Sequence, residues 1–149
     1  MGIKISNLPV IVTPALTDVF PVVQSGVTYK ETVTQLATLL GVLSTTTIAL
    51  TTQSATANNR YIVGNAAQTT ITLPATFAIG DVIIVKGLGA GGWILAANAG
   101  DTIQMGSSAT SSGGSLTSAN QYDTVQVSGL VANTTWSVDY TFSSGLTVA

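Results

Sequence analysis

Three carboxylates in the second half of the chain have the residue type needed for acid and base catalysis. Asp81, Asp101 and Asp123 each stand at the start of a predicted β-strand, and two carboxylates can act as acid and base in glycoside hydrolysis. At a strand start, a carboxylate also accepts hydrogen bonds from nearby turn amides, and together with loop carbonyls it can bind Ca²⁺. We therefore predict structural carboxylates, with no catalytic residue and no bound metal. A polysaccharide hydrolase and a structural Ca²⁺ site stay as alternatives.

A glycine-rich stretch, GLGAGG at residues 87–92, has the G-x-G-x-x-G spacing of dinucleotide-binding loops. Such a site needs a helix whose N-terminus faces the pyrophosphate, and an acidic residue about 20 positions further on. Here a short apolar segment ends at Asn98, and the next acid, Asp101, comes too early. The stretch therefore predicts a hairpin or a bulge.

The composition excludes most other site chemistry. The chain has no His and no Cys, so it lacks the residues for a Ser-His-Asp or Cys-His site, an imidazole or thiolate metal site, or a disulfide. Its four basic residues stand singly and form no patch that neutralises phosphates: Lys4, Lys30, Arg60 and Lys86. We predict that the protein is not an enzyme, uses no cofactor and does not bind nucleic acid.

Charged residues make up only 7% of the 149 residues, against about 25% in an average soluble domain. Thr and Ser, with 24 and 14 residues, take the place of many charges. A surface this poor in charge gives little protection against self-association, so we predict a homo-oligomer. Residues 32–59 carry no charge, but their many hydroxyls are unlike a membrane-spanning helix. We predict no membrane insertion, and the N-terminus lacks the apolar stretch of a secretory signal.

Aromatic residues next to loops are the best candidates for ligand binding. Trp136, Val138 and Tyr140 alternate with polar residues in one predicted strand, so we predict that these three side chains point inward. Residues 107–118 form a long loop of small residues, and loops on a rigid scaffold commonly carry recognition. The candidate ligand-binding residues, chosen from this loop and from aromatics that border loops, are Trp93, Tyr122, Ser111, Ser112, Gly113 and Gly114.

The N-terminal part of the chain predicts a short strand and a hairpin. Ile3, Ile5 and Leu8 alternate with polar residues, as in a strand. Residues 20–24 and 27–30 then predict the two strands of a hairpin, because Ser-Gly between them supplies a turn.

A single helix is predicted after the hairpin. Thr32 and Gln35 have the spacing of a capping box, and Gly41 or Ser44 ends the helix. Residues 44–57 follow without Gly, Pro or charge, and such a strand is prone to pairing; sister chains are one source of a partner strand. The candidate oligomer-interface residues from the helix and this segment are Leu36, Leu39, Leu40, Leu43, Ile48 and Leu50.

From Arg60 onward, strands recur about every ten residues, the pattern of an antiparallel sandwich or jelly roll. We predict a mainly β protein in three parts: a small N-terminal α+β module at residues 1–43, a Thr-rich extended connector at residues 44–58, and an antiparallel β-sandwich or jelly-roll-like knob at residues 59–149. The predicted strands of the knob are residues 61–63, 69–73, 81–86, 93–97, 102–105, 124–127 and 136–142.

Two stretches of the sequence resemble viral fibre and tail proteins. Residues 3–40, which contain IKISNLP and LTDVFPVVQSGVTYKETVTQLATLL, are similar to a module near the start of phage tail-fibre proteins. Residues 71–138 resemble a β module at the C-terminal end of tail fibres and of surface proteins of other viruses, including those linked to giant viruses. The blocks that carry this second resemblance are, in order, ITLPATFAIGD, GAGGW, AANAGDTIQMGSS, GGSLTSANQYDTVQV and NTTWSV.

The resemblance implies a homotrimeric fibre or spike on the virion surface, made in the host cytoplasm, whose N-terminal module mounts on virion components. We expect a viral structural protein whose knob attaches to a host surface glycan or protein receptor, with the loops at residues 87–92 and 107–118 exposed. The alternative is a capsid decoration or fibre-assembly subunit that binds only other virion proteins.

Overall fold

The computed structural model describes residue 15, residues 17–40 and residues 42–149. The chain forms two compact units, Met1–Val42 and Leu43–Ala149, called here the N-terminal unit and the β unit. The mainly β class predicted from the sequence is confirmed. The predicted short strand at Ile3, Ile5 and Leu8 lies outside the described residues.

The N-terminal unit contains the predicted hairpin. Strands β1 (Val19–Gln24) and β2 (Val27–Thr32) pair antiparallel. The two residues between them both have positive φ, 52° at Ser25 and 78° at Gly26. This is the backbone of a two-residue turn whose twist matches that of the strands.

Helix α1 (Val33–Leu39) begins directly after the hairpin. The Thr32 Oγ1 accepts a hydrogen bond from the Gln35 backbone N–H at 3.1 Å, and the Gln35 Oε1 accepts one from the Thr32 N–H at 2.8 Å. These reciprocal bonds are those of a capping box, so the predicted helix start is confirmed. The helix ends at Leu39, two residues before Gly41, one of the two predicted stops.

The β unit contains twelve strands in two sheets, one of seven strands and one of five. Each strand predicted from the sequence for residues 59–149 is present, with boundaries shifted by a few residues at most. The strands are β3 (Ser44–Ile48), β4 (Thr52–Ser54), β5 (Asn59–Val63), β6 (Thr69–Thr72), β7 (Val82–Gly87), β8 (Trp93–Ala96), β9 (Thr102–Met105), β10 (Ser108–Ala109), β11 (Ser115–Thr117), β12 (Thr124–Val131), β13 (Thr135–Phe142) and β14 (Thr147–Val148).

The first six strands of the β unit form a coil that alternates between the two sheets. In the seven-stranded sheet β3, β5 and β7 pair parallel, and in the five-stranded sheet β4, β6 and β8 pair parallel. The predicted separate connector at residues 44–58 therefore belongs to the β unit. Its two strands pair within their own chain, β3 with β5 and β4 with β6. Each strand therefore has one partner without the sister-chain pairing considered from the sequence.

The later strands close the coil with mainly antiparallel pairs. Strand β12 pairs with β7 and β13, and β11 pairs with β8 and β14, all antiparallel, whereas β9 lies parallel to β13. The two sheets are thus mixed: they fit the predicted β-sandwich, but the expectation that its strands pair antiparallel is wrong for β3 to β8 and for β9 with β13. The sequence did not predict the parallel pairs, because the spacing of strands along a chain does not show whether neighbouring strands run parallel or antiparallel.

The inward faces of both sheets form one hydrophobic cluster. Both tryptophans lie in it with no exposed surface, and Phe77 stacks on Trp136 with 4.1 Å between ring centroids. Burial of such side chains contributes about 1.5–3 kcal/mol each. Since the only two tryptophans of the chain are both in this core, their fluorescence reports specifically on the unfolding of the β unit.

Glycines in the loop of residues 87–92 permit consecutive turns of the coil to touch. A Cβ on Gly89 would meet the backbone oxygen of Asn65, and a Cβ on Gly91 would meet the backbone of Ala67. The Gly91 N–H also donates to the Asn65 carbonyl at 3.1 Å. The loop thus lies directly on the β5–β6 turn, which explains its glycines without a nucleotide.

Replacing Gly91 by Ala is expected to lower the free energy of unfolding of the β unit by about 1–3 kcal/mol, because the new methyl group clashes with backbone. The matched control is Gly64→Ala, at a position where an added methyl group meets open space and φ is not positive, so the change is expected to stay within about 0.5 kcal/mol. Urea unfolding followed by tryptophan fluorescence measures both. Equal stability of the two variants would contradict a packing role for the loop glycines.

Candidate functional site

Trp93 is a core residue, so its assignment as a ligand-binding candidate is wrong. Its side chain has no exposed surface. The indole N–H donates to the Asp123 carbonyl at 3.0 Å, and the Trp93 backbone N–H donates to the Ser118 Oγ at 2.8 Å. The residue borders a loop in sequence, but it is the first residue of β8, and the alternation of that strand turns its ring inward.

The remaining ligand-binding candidates lie beyond opposite ends of β11. Tyr122 is exposed and sits beside Gly87, whereas Ser111, Ser112, Gly113 and Gly114 lie near the C-terminal end of β8. The antiparallel register of β8 and β11 separates them, since Ser115 faces Ala96 and Thr117 faces Ile94. The loops predicted to be exposed for attachment, residues 87–92 and 107–118, meet at Ser118, which lies beside Gly92, whereas residues 111–114 lie at the other end of β11.

Most of the candidate oligomer-interface residues are exposed. Leu36, Leu40, Leu43 and Leu50 present their side chains to solvent, as an interface residue of a single protomer must. Ile48 is corrected, because it is 3% exposed and belongs to the core of its own β unit. The side chain of Leu39 lies outside the described part of the structure.

Two of the three candidate catalytic carboxylates bind turn amides, as the structural interpretation predicted. The Asp81 Oδ2 accepts from the Ala78 N–H at 2.8 Å. The Asp123 Oδ2 accepts from the N–H groups of Ala119 and Asn120, at 2.7 and 2.8 Å. These contacts order the turns that precede β7 and β12.

Asp101 differs from the other two. It is 4% exposed, its Oδ2 has no hydrogen-bond partner, and burial raises the pKa of its carboxyl above the ordinary value. Across the described residues, no group of three or more His, Cys, Asp or Glu side chains comes together as a metal site. Ionisation of the buried Asp101 carboxyl is therefore expected to weaken the fold.

A β-bulge in β13 reverses the direction of Tyr140. Val138 pairs with Val127, but Tyr140 pairs with Gln126, so Asp139 is the extra residue between them. A bulge shifts the alternation of a strand by one residue. Trp136 points inward as predicted, whereas Tyr140 is 40% exposed, and the prediction that Tyr140 points into the core is wrong.

The bulge creates a groove on the outer face of the seven-stranded sheet, the face turned away from the hydrophobic core. Its volume is about 370 Å³, within the range of small-ligand sites. Ile84, which is only 4% exposed, lies at its base. The residues that line this outer-face groove are Arg60, Ile62, Ile84, Lys86, Thr124, Tyr140 and Phe142.

Strand register explains how these residues meet. Across β5 and β7, Arg60 faces Ile84 and Ile62 faces Lys86. Across β7, β12 and β13, the row of Ile84 continues to Tyr140 and the row of Lys86 continues to Phe142. Two neighbouring rows of outward side chains therefore each combine one cation and one aromatic ring.

The acid beside the groove has hydrogen-bond partners, whereas the two cations have no ion-pair partner among the described residues. Asp139 accepts hydrogen bonds from the Gln126 Nε2 at 2.9 Å and from the Ser128 Oγ at 2.7 Å. Arg60 and Lys86 are exposed and form no ion pair with any acid in the described part of the chain. Arg60 and Lys86 are therefore accessible to a ligand, while Asp139 on the same face is already hydrogen-bonded.

The two rings give the groove an apolar contact surface. Tyr140 and Phe142 pack edge to face with 5.5 Å between centroids, and Phe142 is 72% exposed. Aromatic rings beside a few hydrogen-bonding groups are typical of ligand sites. Reasoning from the sequence missed Phe142, Arg60 and Lys86, because no local signal marked the bulge that brings the aromatics to the cations.

Comparison with protein-family models and with curated protein sequences gave no match. Among the helices of the described residues, none combines the length and apolar character needed to cross a membrane.

Replacing Asp101 by Asn is expected to raise the melting temperature of the β unit at pH 7, because it removes a buried charge without a partner. A folded-state pKa above the ordinary value of 3.8 means that the wild type loses stability as the pH rises from that value. The gain in the variant should therefore disappear near pH 3. Thermal unfolding followed by tryptophan fluorescence from pH 3 to 7 measures it.

The matched control is Asp123→Asn, which weakens charge-assisted bonds from two turn amides. This control is expected to lower the melting temperature at pH 7. A lower melting temperature in Asp101→Asn as well would show that the Asp101 carboxylate stabilises the fold.

Proposed function

We propose that this chain is a virion structural protein, a subunit of a homotrimeric fibre or spike, and that its β unit attaches to a host surface glycan through the outer-face groove. The observation that carries the attachment role is the pair of open cations next to two exposed aromatic rings. The virion setting and the number three come from the resemblance to fibre and tail proteins. The protein is proposed as a binding protein and not as an enzyme.

Self-association is supported by the surface of the N-terminal unit. Apolar side chains of its hairpin and helix are exposed, and a large exposed apolar surface is typical of protein interfaces. Few charged side chains are available to keep this surface in solvent, because charged residues make up only 7% of the chain. The exposed apolar residues of this unit are Val19, Val23, Val27, Tyr29, Leu36, Leu40 and Val42.

The same apolar surface favours a second candidate function, a capsid decoration or fibre-assembly subunit that binds only other virion proteins. A groove of about 710 Å³ between the hairpin and the helix, lined by Phe20, Val22 and Leu36 among others, adds to it. In this alternative the N-terminal unit is the functional surface, and the outer-face groove has no ligand. Glycan binding discriminates between the two.

The oligomeric state is tested by light scattering after size-exclusion chromatography. The expected mass is three times the chain mass of 15.1 kDa. Leu40→Lys, in an exposed interface candidate, is expected to shift the population toward monomer, because a charge would be buried without a partner. The matched control is Leu130→Lys, at an exposed apolar position of the β unit. A wild type that elutes as a single 15.1 kDa species would contradict the fibre proposal.

Attachment is tested by screening the intact oligomer against an array of host glycans. Binding is expected, and Tyr140→Ala should weaken it about five- to tenfold, since an aromatic contact contributes about 1 kcal/mol. The matched control is Tyr122→Asn, in an exposed tyrosine outside the groove whose φ of 70° suits Asn. A loss in Tyr122→Asn alone would place the ligand at the turn before β12. No glycan signal, with co-purification of capsid or tail components, would favour the alternative.

A further inference from the structure

We infer that the outer-face groove takes a saccharide with an anionic group, which Arg60 and Lys86 bind while Tyr140 and Phe142 contact the sugar ring. This inference rests on the proposed function and names the class of glycan.

The placement of the two cations favours a shared anionic group. Arg60 in β5 and Lys86 in β7 lie on the same face of adjacent parallel strands. Arg60 pairs with Ile84, and Lys86 lies two residues further along β7. Side chains offset in this way remain within reach of one ligand group on a sheet surface. One anionic group can therefore contact both cations.

Charge complementarity points to the same kind of ligand. The groove holds two of the four basic residues of the whole chain, although the net charge of the chain is −2. The acid on the same face, Asp139, accepts hydrogen bonds from Gln126 and Ser128. The cations therefore have no acid of the described chain to pair with, and a ligand anion is the partner that their charges select.

The shape of the groove and its position in the sheet favour a sugar over a nucleic acid or a peptide. Nucleic-acid binding depends on many phosphate contacts, and this face offers two cations. An extended peptide typically adds to the free edge of a sheet, whereas the groove lies over β5, β7, β12 and β13, inside the strand order of the seven-stranded sheet. Exposed rings with neighbouring hydrogen-bonding groups suit a ring-shaped ligand that has both apolar and polar surfaces, as a sugar has.

The two cations are expected to act differently. The Arg60 guanidinium can donate two parallel hydrogen bonds to a carboxylate or sulfate, and the Lys86 ammonium acts as a point charge. Replacement of Arg60 by Lys therefore keeps the charge but removes the two-pronged contact. Binding should also weaken with added salt, because both groups are exposed and screened.

The test uses the full-chain oligomer and three probes, measured by isothermal titration calorimetry. Galacturonate oligomers supply a carboxylate, heparin oligosaccharides supply sulfate, and cello-oligosaccharides are neutral. We expect an anionic probe to bind and the neutral probe to bind at least tenfold more weakly. Comparison of the first two probes shows which anionic group the groove takes.

The variants are Arg60→Gln, Lys86→Gln and Arg60→Lys, with Lys30→Gln in the N-terminal unit as the control for loss of one charge. Each Gln variant is expected to weaken binding of the anionic probe at least about tenfold, because it removes a charge-assisted hydrogen bond to the ligand anion. The affinity of Arg60→Lys should lie between those of wild type and Arg60→Gln. If Arg60→Gln does not fold, Arg60→Lys tests the role of Arg60 in its place. Lys30→Gln should bind as wild type.

Neutral sugars bound as tightly as anionic ones, with no effect of the Arg60 and Lys86 variants but a loss in Tyr140→Ala, would overturn this inference and leave the proposed function standing. Binding of the anionic probe lost equally in Lys30→Gln would also overturn it, because the contact would then be non-specific. Absence of binding to every probe and to the host glycan array would overturn both.

Discussion

Alternation of side chains along the strands is the constraint on which the β unit depends. Each inner residue contributes to a core shared by two sheets, and the residues on either side of it point to the outer face of their sheet. Because charged side chains are few, the stability of this unit comes from apolar burial and backbone pairing, with little from ion pairs. One change in alternation therefore changes both the core and the surface.

The bulge at Asp139 is such a change, and it produces the candidate site. Without it, Tyr140 would continue inward from Trp136 and Val138; with it, Tyr140 and Phe142 reach the outer face beside β7. The extra residue also places the Asp139 carboxylate on that face, where Gln126 and Ser128 hold it. The bulge thus brings the two aromatic rings of β13 next to the Gln126 amide of β12 and the cations of β7 and β5.

Close approach of backbones is the second condition that the coil imposes. Its turns lie directly on one another at Gly89 and Gly91, so glycines that resemble a nucleotide-binding loop serve packing. The β-branched strand β3 follows from the same arrangement: Thr46 faces Tyr61 in β5, and Ile48 enters the core. Local composition indicated an extended segment correctly but not its partner, because the partner lies in the next turn of the coil.

Much of the secondary structure was determined by local sequence. The capping box at Thr32 and Gln35, the Ser-Gly turn and the alternation in residues 69–72 each depend on neighbours in the chain, so they could be predicted. Strand direction, the burial of Trp93 and the outward turn of Tyr140 depend on which strand lies beside which. Tertiary structure alone decided these, because pairing register is a contact between segments far apart in sequence, and it sets which side chains meet in the groove.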